Sequence, residues 1–259
     1  MQQDQRSNPV VALDTSIDTL GLDELDAFAQ QGLITSVYAQ LPSGKEATVY
    51  CCRAHPATKR KFLAAKVYRE HAARGYRRRT AYFEGRERAM KTRTFRAIQR
   101  GSAFGHDALA GVWIGAEYDA LRRLSSVGAD VPHPLAQCGR AVLMEYLGNG
   151  AGPAPHLHAV DDRHRATALY RRVLWNVEML LSEHLVHGDL SPYNILVWDQ
   201  RPWIIDLPQA VDVRFNHSAF ELLRRDVESV CTFFATRGVP TDPGRVTNEL
   251  WTRYERAEL

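Results

Sequence analysis

Apolar residues recur along the chain with two different spacings, and each spacing predicts a different kind of element. A spacing of three or four residues is typical of an amphipathic helix with one buried face. Segments with this spacing predict helices over 18–32, 113–124, 163–184, 219–234 and 245–256. Three of these five predicted helices lie after residue 148, so the second half of the chain is expected to be mainly helical.

Short runs rich in β-branched and aromatic residues predict strands. These runs lie at 35–38, 47–52, 62–68, 141–146, 194–198 and 203–205. Turn-forming residues such as Gly44 and Pro56 separate the first three runs, which favours an antiparallel meander. The last two runs flank the four residues 199–202, and we predict a hairpin with those residues as its turn.

The elements group into two predicted lobes. Residues 1–17 are polar and show no hydrophobic periodicity, so we expect a disordered tail there. A glycine-rich stretch begins at 148 and sets the predicted boundary. The first lobe is then 18–147, with an N-terminal helix, an antiparallel sheet and a basic insertion at 69–110. The second lobe is 148–259, and the whole is an α+β fold.

Composition excludes several classes of protein. The chain has 259 residues and a formal net charge of +3, which gives no case for nucleic-acid binding by the molecule as a whole. We find no apolar stretch long enough to cross a bilayer, so no membrane partner is expected. The four cysteines lack metal-binding spacing, and the polar N-terminus lacks the features of a secretory signal. We therefore expect a cytoplasmic protein.

Positive charge is concentrated between residues 69 and 100. The arginines and lysine of this segment outnumber its three glutamates by a wide margin, and four aromatic residues lie among them. Such a segment could bind RNA or phosphates, with aromatic rings stacking on bases. A solvated helix face explains the same composition equally well, and the sequence leaves both interpretations open.

The clearest chemical pattern is His187-Gly188-Asp189 with Asn194 five residues beyond the aspartate, followed by Asp206. Phosphoryl transfer needs a carboxylate that orients the attacking hydroxyl and oxygen ligands for magnesium. Asp189 can serve the first purpose, and Asn194 and Asp206 the second. The predicted hairpin between Asn194 and Asp206 folds the chain back, so the three side chains are expected to converge. Separate capping and turn roles for the three residues are the alternative.

These residues resemble the catalytic and metal-binding segments of protein-kinase-like folds, and in particular the RIO-type atypical serine/threonine kinases of the first RIO subgroup. The segment Ser43-Gly44-Lys45 is similar to the family's phosphate loop, which implies phosphate contacts by Ser43 and Lys45. Ala64-Ala65-Lys66 resembles the strand whose lysine reaches the ATP phosphates. The helix at 113–121 resembles the one whose glutamate pairs with that lysine, which implies this role for Glu117. A solvated Glu117 is the alternative.

The resemblance also implies an adenine site and cofactors. Met144, Glu145 and Leu147 occupy the family's hinge, where the backbone of Glu145 and Leu147 would hold adenine with Met144 behind it. ATP and Mg²⁺ are the implied cofactors, with Mn²⁺ as an alternative metal. Ile205-Asp206-Leu207-Pro208-Gln209 is similar to the family's metal loop, although Pro208 replaces the expected serine and stiffens the turn.

The resemblance further implies that ATP hydrolysis or autophosphorylation is the working reaction, with Asp206 as the phosphate acceptor. The implied partners are a protein substrate or the chain itself, and a small-ribosomal-subunit precursor or RNA bound through the basic segment at 69–100. The absence of the Ala-Pro-Glu element of ordinary kinases fits a missing peptide-substrate platform.

Two rival functions remain open. Small-molecule phosphotransferases such as aminoglycoside and choline kinases share the pattern from His187 to Asn194. The segments at 43–50 and 113–121 favour RIO over them, as does a C-terminal part too short for a large acceptor pocket. The other rival is an ATP-binding switch protein in which hydrolysis only resets the bound state.

Overall fold

The computed structural model describes residues 22–69 and 103–259, together with the backbone of 12–15; for 103–110 it likewise describes only the backbone. Within these residues the chain forms two compact units. The first contains the described residues up to Arg69 together with Leu135–Ala154, and the second contains the remainder. The chain therefore passes from the first unit to the second at Ala154, a few residues beyond the boundary predicted at 147.

The first unit is built on a six-stranded sheet in the order β1-β2-β3-β4-β6-β5. Its strands are β1 (Ala12–Thr15), β2 (Ile34–Leu41), β3 (Ala47–Ala54), β4 (Phe62–Tyr68), β5 (Pro134–Cys138) and β6 (Ala141–Glu145). The pairs from β1 through to β4, and β4 with β6, are antiparallel. The predicted meander is confirmed. A small antiparallel pair, β7 (Gly148–Asn149) and β8 (Gly152–Pro153), lies in the glycine-rich stretch that sets the predicted lobe boundary.

Residues 12–15 of the predicted disordered tail form strand β1 instead, and the rest of 1–17 lies outside the described residues. The β1 backbone pairs with β2, with Ala12 opposite Ala39 and Thr15 opposite Val37. A strand of four residues at a sheet edge takes its stability from the neighbouring strand, because its backbone hydrogen bonds are made to that neighbour. Local composition therefore could not predict it.

Helix α1 (Asp23–Gln30) covers one face of this sheet. Leu25 and Phe28, both fully buried, pack into the same cluster as core residues of the strands. The side chain of Glu24 accepts from the backbone N–H and the Nε of Arg140, at 3.4 and 3.3 Å, in the turn between β5 and β6. Gly32 has φ of +67°, so the helix ends at a left-handed glycine as its sequence predicts.

The second unit is mainly helical. Its helices are α2 (Ala103–Ser126), α3 (Ala166–Ser182), α4 (Ala219–Ala235) and α5 (Pro243–Glu255). Helix α5 begins two residues before the predicted 245, because Asp242 caps it by accepting from the N–H of Arg245 and Pro243 occupies the first turn. No helix in the described ranges is both long and apolar enough to cross a membrane.

Helix α2 belongs with the second unit, whereas the sequence interpretation placed it in the first lobe. Arg123 near its end donates from Nε to the carboxylate of Glu183 at 3.3 Å, and from a second nitrogen to the Glu183 carbonyl, just beyond α3. After α2, buried Asp130 accepts two hydrogen bonds from Arg172 and one from Asn176, both on α3. These contacts tie the end of α2 to α3.

Two pairs of short strands complete the second unit. Strand β9 (Leu185–Val186) pairs with β12 (Val211–Asp212), and β10 (Ile195–Trp198) pairs with β11 (Arg201–Ile204). The hairpin was predicted, but its four-residue turn was wrong. Only Asp199 and Gln200 form the turn, with φ of +48° and +63°, while Arg201 and Pro202 are paired. Positive φ at both central residues matches the twist of a two-residue hairpin.

Candidate active site

Two loops in the second unit lie side by side because two strand pairs hold their ends. The Asp189 loop (187–194) runs from β9 to β10, and the Asp206 loop (205–210) runs from β11 to β12. Pairing of β10 with β11 brings Ile195 opposite Ile204. Pairing of β9 with β12 brings Val186 opposite Val211. The start of each loop is therefore fixed against the end of the other.

Direct hydrogen bonds join the two loops. The N–H of Ile205 donates to the Asn194 carbonyl at 3.0 Å, and Nε2 of His187 donates to the Ile205 carbonyl at 3.1 Å. Further along, Nε2 of Gln209 lies 3.4 Å from Oδ2 of Asp189. The structure thus brings together the loops that carry the three predicted residues of the phosphate and metal chemistry.

Within the Asp189 loop, Asn194 is tied to Asp189 itself. Its Nδ2 donates to the Asp189 carbonyl at 2.8 Å, and its N–H donates to the Ser191 carbonyl at 2.9 Å. Because the amide nitrogen is engaged as a donor, the amide oxygen is the atom suited to bind a cation. The Asp189 side chain is exposed and Asn194 is half-buried, so a ligand can reach both.

Asp206 has an unusual backbone. Its φ is +68°, in the left-handed region that residues other than glycine adopt only occasionally. The flanking residues support this conformation, since both the N–H and the carbonyl of Ile205 are hydrogen-bonded and the Leu207 side chain is fully buried. Strained backbone of this kind clusters at ligand-binding sites, where surrounding contacts hold it in place. Asp206 itself is half-buried, and its backbone is held by these neighbours.

Beneath the Asp189 loop lies Asp226 of α4, which the sequence interpretation did not single out as a site residue. Its two carboxylate oxygens accept from the N–H groups of Gly188 and Leu190, both at 2.8 Å. The side chain is buried, and burial raises its pKa to about 6, although His187 and the two N–H groups act to lower it. A signal was present, because an aspartate lies in the buried apolar stripe of α4.

An aromatic group lies beside the same loop. The ring of Tyr193 is stacked on His158, with ring centroids 4.2 Å apart, yet Tyr193 remains 63% exposed. Nδ1 of His156 donates to the Tyr193 carbonyl at 2.6 Å. Burial lowers the pKa of His156. These contacts hold the backbone and the ring of Tyr193, which lies in the Asp189 loop one residue before Asn194.

In the first unit, Lys66 lies on β4, opposite Val49 of β3 and Val142 of β6. It is half-buried, and its Nζ lies 4.9 Å from the centre of the Tyr68 ring. Ser43 and Lys45 are exposed in the loop between β2 and β3. A lysine anchored by strand pairing and an open polar loop suit the predicted phosphate contacts, which stay predictions.

The predicted hinge residues lie at the end of β6 in the same unit, with Met144 and Glu145 in the strand and Leu147 two residues beyond it. Met144 lies opposite Ala64 and is buried, as is Leu147. The side chain of Glu145 is engaged with Arg60 at 2.9 Å. The carbonyl of Leu147 accepts from the N–H of Ala154 at 2.9 Å. The predicted adenine contacts by the backbone of Glu145 and Leu147 stay predictions.

Glu117, in the second unit, is only 1% exposed. This burial rules out the alternative of a solvated surface glutamate. Its proposed pairing with Lys66 stays a prediction. The basic segment at 69–100 lies outside the described residues except for Arg69, which is exposed and contacts the hydroxyl of Thr48 at 3.4 Å.

The side-chain oxygen atoms of the predicted ligands Asn194 and Asp206 fit Mg²⁺ better than a softer metal. Magnesium keeps several waters and is bound through one or two carboxylates plus the phosphates of a nucleotide. Among the residues that the structure describes, no group of three or more His, Cys, Asp or Glu side chains forms a metal site.

The chain has a protein-kinase-like α+β fold. Its first unit is an antiparallel sheet, its second unit is mainly helical, and the Asp189 and Asp206 loops of the second unit are hydrogen-bonded to each other. The RIO domain profile matches residues 48–246, and the chain belongs to the RIO domain family. The predicted family is thus confirmed.

Curated relatives share this assignment. The chain is 32% identical over 187 residues to the RIO-type serine/threonine-protein kinase Rio1 of Thermoplasma acidophilum, covering 72% of this chain and 92% of that protein. It is 33% identical over 215 residues to the Rio1 of Haloferax volcanii, covering 82% of this chain and 68% of that protein. For the Caenorhabditis elegans kinase RIO1, at 33% identity over 82% of this chain, the match spans only 39% of the relative.

Solved structures support the fold. The Rio2 kinase of Chaetomium thermophilum, in a complex with ADP/Mg²⁺ and phosphoaspartate, matches with a TM-score of 0.64 and 20% identity, covering 94% of this chain and 71% of that one. A second structure of that kinase matches with a TM-score of 0.65 and 22% identity, covering 91% and 68%. At these identities the likeness concerns the fold.

Proposed function

We propose that this protein is an ATP-dependent serine/threonine kinase of the RIO type that works with Mg²⁺. The observation that carries the proposal is the hydrogen bonding between the Asp189 and Asp206 loops, which supports a shared site for the Asp189 carboxylate and the proposed oxygen ligands Asn194 and Asp206. The names of the Rio1 relatives support the kinase activity. The ADP and Mg²⁺ of the Rio2 complex support the cofactors.

Each residue has a separate role in this proposal. Asp189 orients the attacking hydroxyl and accepts its proton, since it is exposed and held by its own loop. Asn194 and Asp206 hold Mg²⁺, which supplies positive charge beside the phosphates. Lys66 contacts the ATP phosphates, and Ser43 and Lys45 cover them. Met144, Glu145 and Leu147 enclose the adenine.

We further propose that the Asp206 carboxylate is the first acceptor of the γ-phosphoryl group of ATP, with ADP as the leaving group. Water then hydrolyses the acyl phosphate and releases inorganic phosphate. The phosphoaspartate of the Rio2 complex supports a carboxylate acceptor in that protein. In this chain the Asp206 backbone has a left-handed φ of +68° and its neighbour Ile205 is hydrogen-bonded to Asn194 and His187, so the point from which the carboxylate extends is fixed. A protein substrate, or the chain itself, is the proposed alternative acceptor.

The test follows transfer of label from γ-labelled ATP in the presence of Mg²⁺. Asp189→Asn is expected to reduce transfer by about 100-fold or more, because general-base catalysis contributes on that scale. ATP binding, measured by calorimetry, should be unchanged. Asp199→Asn is the matched control, since Asp199 is an exposed aspartate in the hairpin turn and asparagine tolerates its positive φ.

The position of the label separates the possible functions. Acid-stable label on serine or threonine supports the kinase, and acid-labile label that is lost in Asp206→Asn supports the aspartate acceptor. Label on an added aminoglycoside or choline would instead identify a small-molecule phosphotransferase. An Asp189→Asn variant as active as the Asp199→Asn control would remove Asp189 from the proposed role.

We also propose that the basic segment at 69–100 contacts RNA, as in a ribosomal precursor. The support is its excess of arginine in the sequence, interleaved with aromatic residues.

A further inference from the structure

Gln209 is a buried polar residue at the site that the roles above do not use. It is only 4% exposed, and its Nε2 lies 3.4 Å from Oδ2 of Asp189. Burying an amide is unfavourable unless it finds hydrogen-bond partners. At this depth the Gln209 amide contacts the one carboxylate that is proposed to orient the acceptor.

The backbone leading to Gln209 is fixed by several independent features. Asp206 is left-handed, Leu207 is fully buried, and Pro208 has a restricted φ and no N–H. The N–H of Ala210 donates to the Leu207 carbonyl at 3.0 Å and closes the turn, after which β12 begins at Val211. The side chain of Gln209 is thus directed by the turn and by the strand that follows it.

The Gln209 amide acts on one of the two oxygens of the Asp189 carboxylate. Oδ2 faces the Gln209 amide, while the Asp189 backbone is held through its carbonyl by Nδ2 of Asn194. The Asn194 contact fixes the backbone from which the side chain extends, and the Gln209 contact is the one that acts on the carboxylate itself. The amide is neutral, so it can orient the carboxylate without contributing a charge that would weaken it as a base.

We propose that Gln209 is a positioning residue, which holds Oδ2 of Asp189 and so presents the other carboxylate oxygen to the acceptor hydroxyl. The inference rests on the proposed function of Asp189. A contact of 3.4 Å is at the long end of the range for a hydrogen bond, which suits an orienting contact that shortens when substrate binds.

The test compares Gln209→Met, which keeps the length of the side chain but removes the donor, with Gln209→Glu, which turns the donor into a second carboxylate. Misplacement of a catalytic group by about 1 Å costs up to about 100-fold in rate, so Gln209→Met is expected to lower kcat by about 10- to 100-fold. Gln209→Glu should be slower still, because two carboxylates repel. The KM for ATP should stay the same in both. Gln30→Met, at an exposed glutamine on α1, is the control.

A double-mutant cycle with Asp189→Asn shows whether Gln209 acts through Asp189. In that background Gln209→Met should change the residual rate by less than about twofold, because the group it orients is absent. Equal fold losses in the two backgrounds, or a kcat for Gln209→Met equal to that of the Gln30→Met control, would overturn the proposal. If the wild-type chain transfers no phosphate, the proposed function fails by itself.

A second double-mutant cycle measures stability and does not depend on enzymatic activity. It uses wild type, Gln209→Met, Asp189→Asn and the double variant. The shifts in the midpoint of urea unfolding for Gln209→Met and Asp189→Asn should be non-additive, because the two side chains are in contact. Additive shifts would show that Gln209 only packs in the turn, and the proposal would then be wrong even in an active enzyme.

Discussion

Asp226 gives the sharpest prediction, because a buried carboxylate makes the stability of this fold depend on pH. Asp226 is 3% exposed, and burial raises its pKa from the ordinary value of 3.8 to about 6. The perturbation is Asp226→Asn, which keeps the shape of the side chain and removes the titrating group. Glu228→Gln is the control, since Glu228 is an exposed acid on the same helix.

The sign follows from which state binds protons more tightly. Between pH 3.8 and about 6 the carboxyl is protonated in the folded chain but ionised in the unfolded chain, so folding takes up a proton. The stabilisation from this group is fully present below pH 3.8 and is lost as pH rises through about 6. A pKa difference of about two units corresponds to about 3 kcal/mol across the whole range.

The assay is urea unfolding of wild type, Asp226→Asn and Glu228→Gln at pH 4.5, 5.5, 6.5 and 7.5. From pH 4.5 to 7.5 the stability of wild type relative to Asp226→Asn should fall by about 2 kcal/mol, since the loss is about 1.4 kcal/mol per unit up to a pH of about 6. Comparison of the two proteins cancels other titrating groups, such as Asp212, whose pKa is lowered. A difference that stays constant with pH, or that grows in the opposite direction, would refute the reasoning.

The same variant should affect the Asp189 loop. An asparagine offers one carbonyl oxygen, so it can accept from Gly188 or from Leu190 but not from both, and one buried N–H loses its partner. We therefore expect Asp226→Asn to bind ATP normally and to transfer phosphate more slowly than wild type at pH 7.5.

Two further predictions concern other parts of the chain. Arg172→Ala should destabilise the protein by about 3 kcal/mol in urea unfolding, because it removes the positively charged partner of the buried Asp130 carboxylate and leaves only the neutral Asn176 amide beside it. Arg163→Ala is the control, since Arg163 and Asp161 form an exposed pair, and an equal loss in both variants would contradict the prediction. Affinity for single-stranded RNA, measured by fluorescence anisotropy, should fall steeply as salt rises if the segment at 69–100 neutralises phosphates. A flat dependence, or no binding, would leave the interpretation of a solvated helix face.

Much of the fold follows from local patterns. Strand β4 has the bounds predicted for it, 62–68, because a continuous apolar run between turn residues fits a central strand. Helices α3 and α4 lie within a few residues of their predicted ends, because their apolar stripes repeat at the helical period. The family resemblance also depended only on sequence, since its residues lie in short contiguous segments.

By itself the sequence therefore determined the longer helices, most of the longer strands and the family, and it singled out Asp189, Asn194 and Asp206 as candidate site residues, because each of these features can be read from its own neighbours in the chain. Only the tertiary structure decided that β1 joins the sheet, that Asp226 holds the Asp189 loop and that Gln209 faces Asp189. The contact between Gln209 and Asp189 spans 20 residues, and that between Asp226 and Gly188 spans 38. Such contacts depend on strand pairing and helix packing, so no local pattern of residue types can specify them.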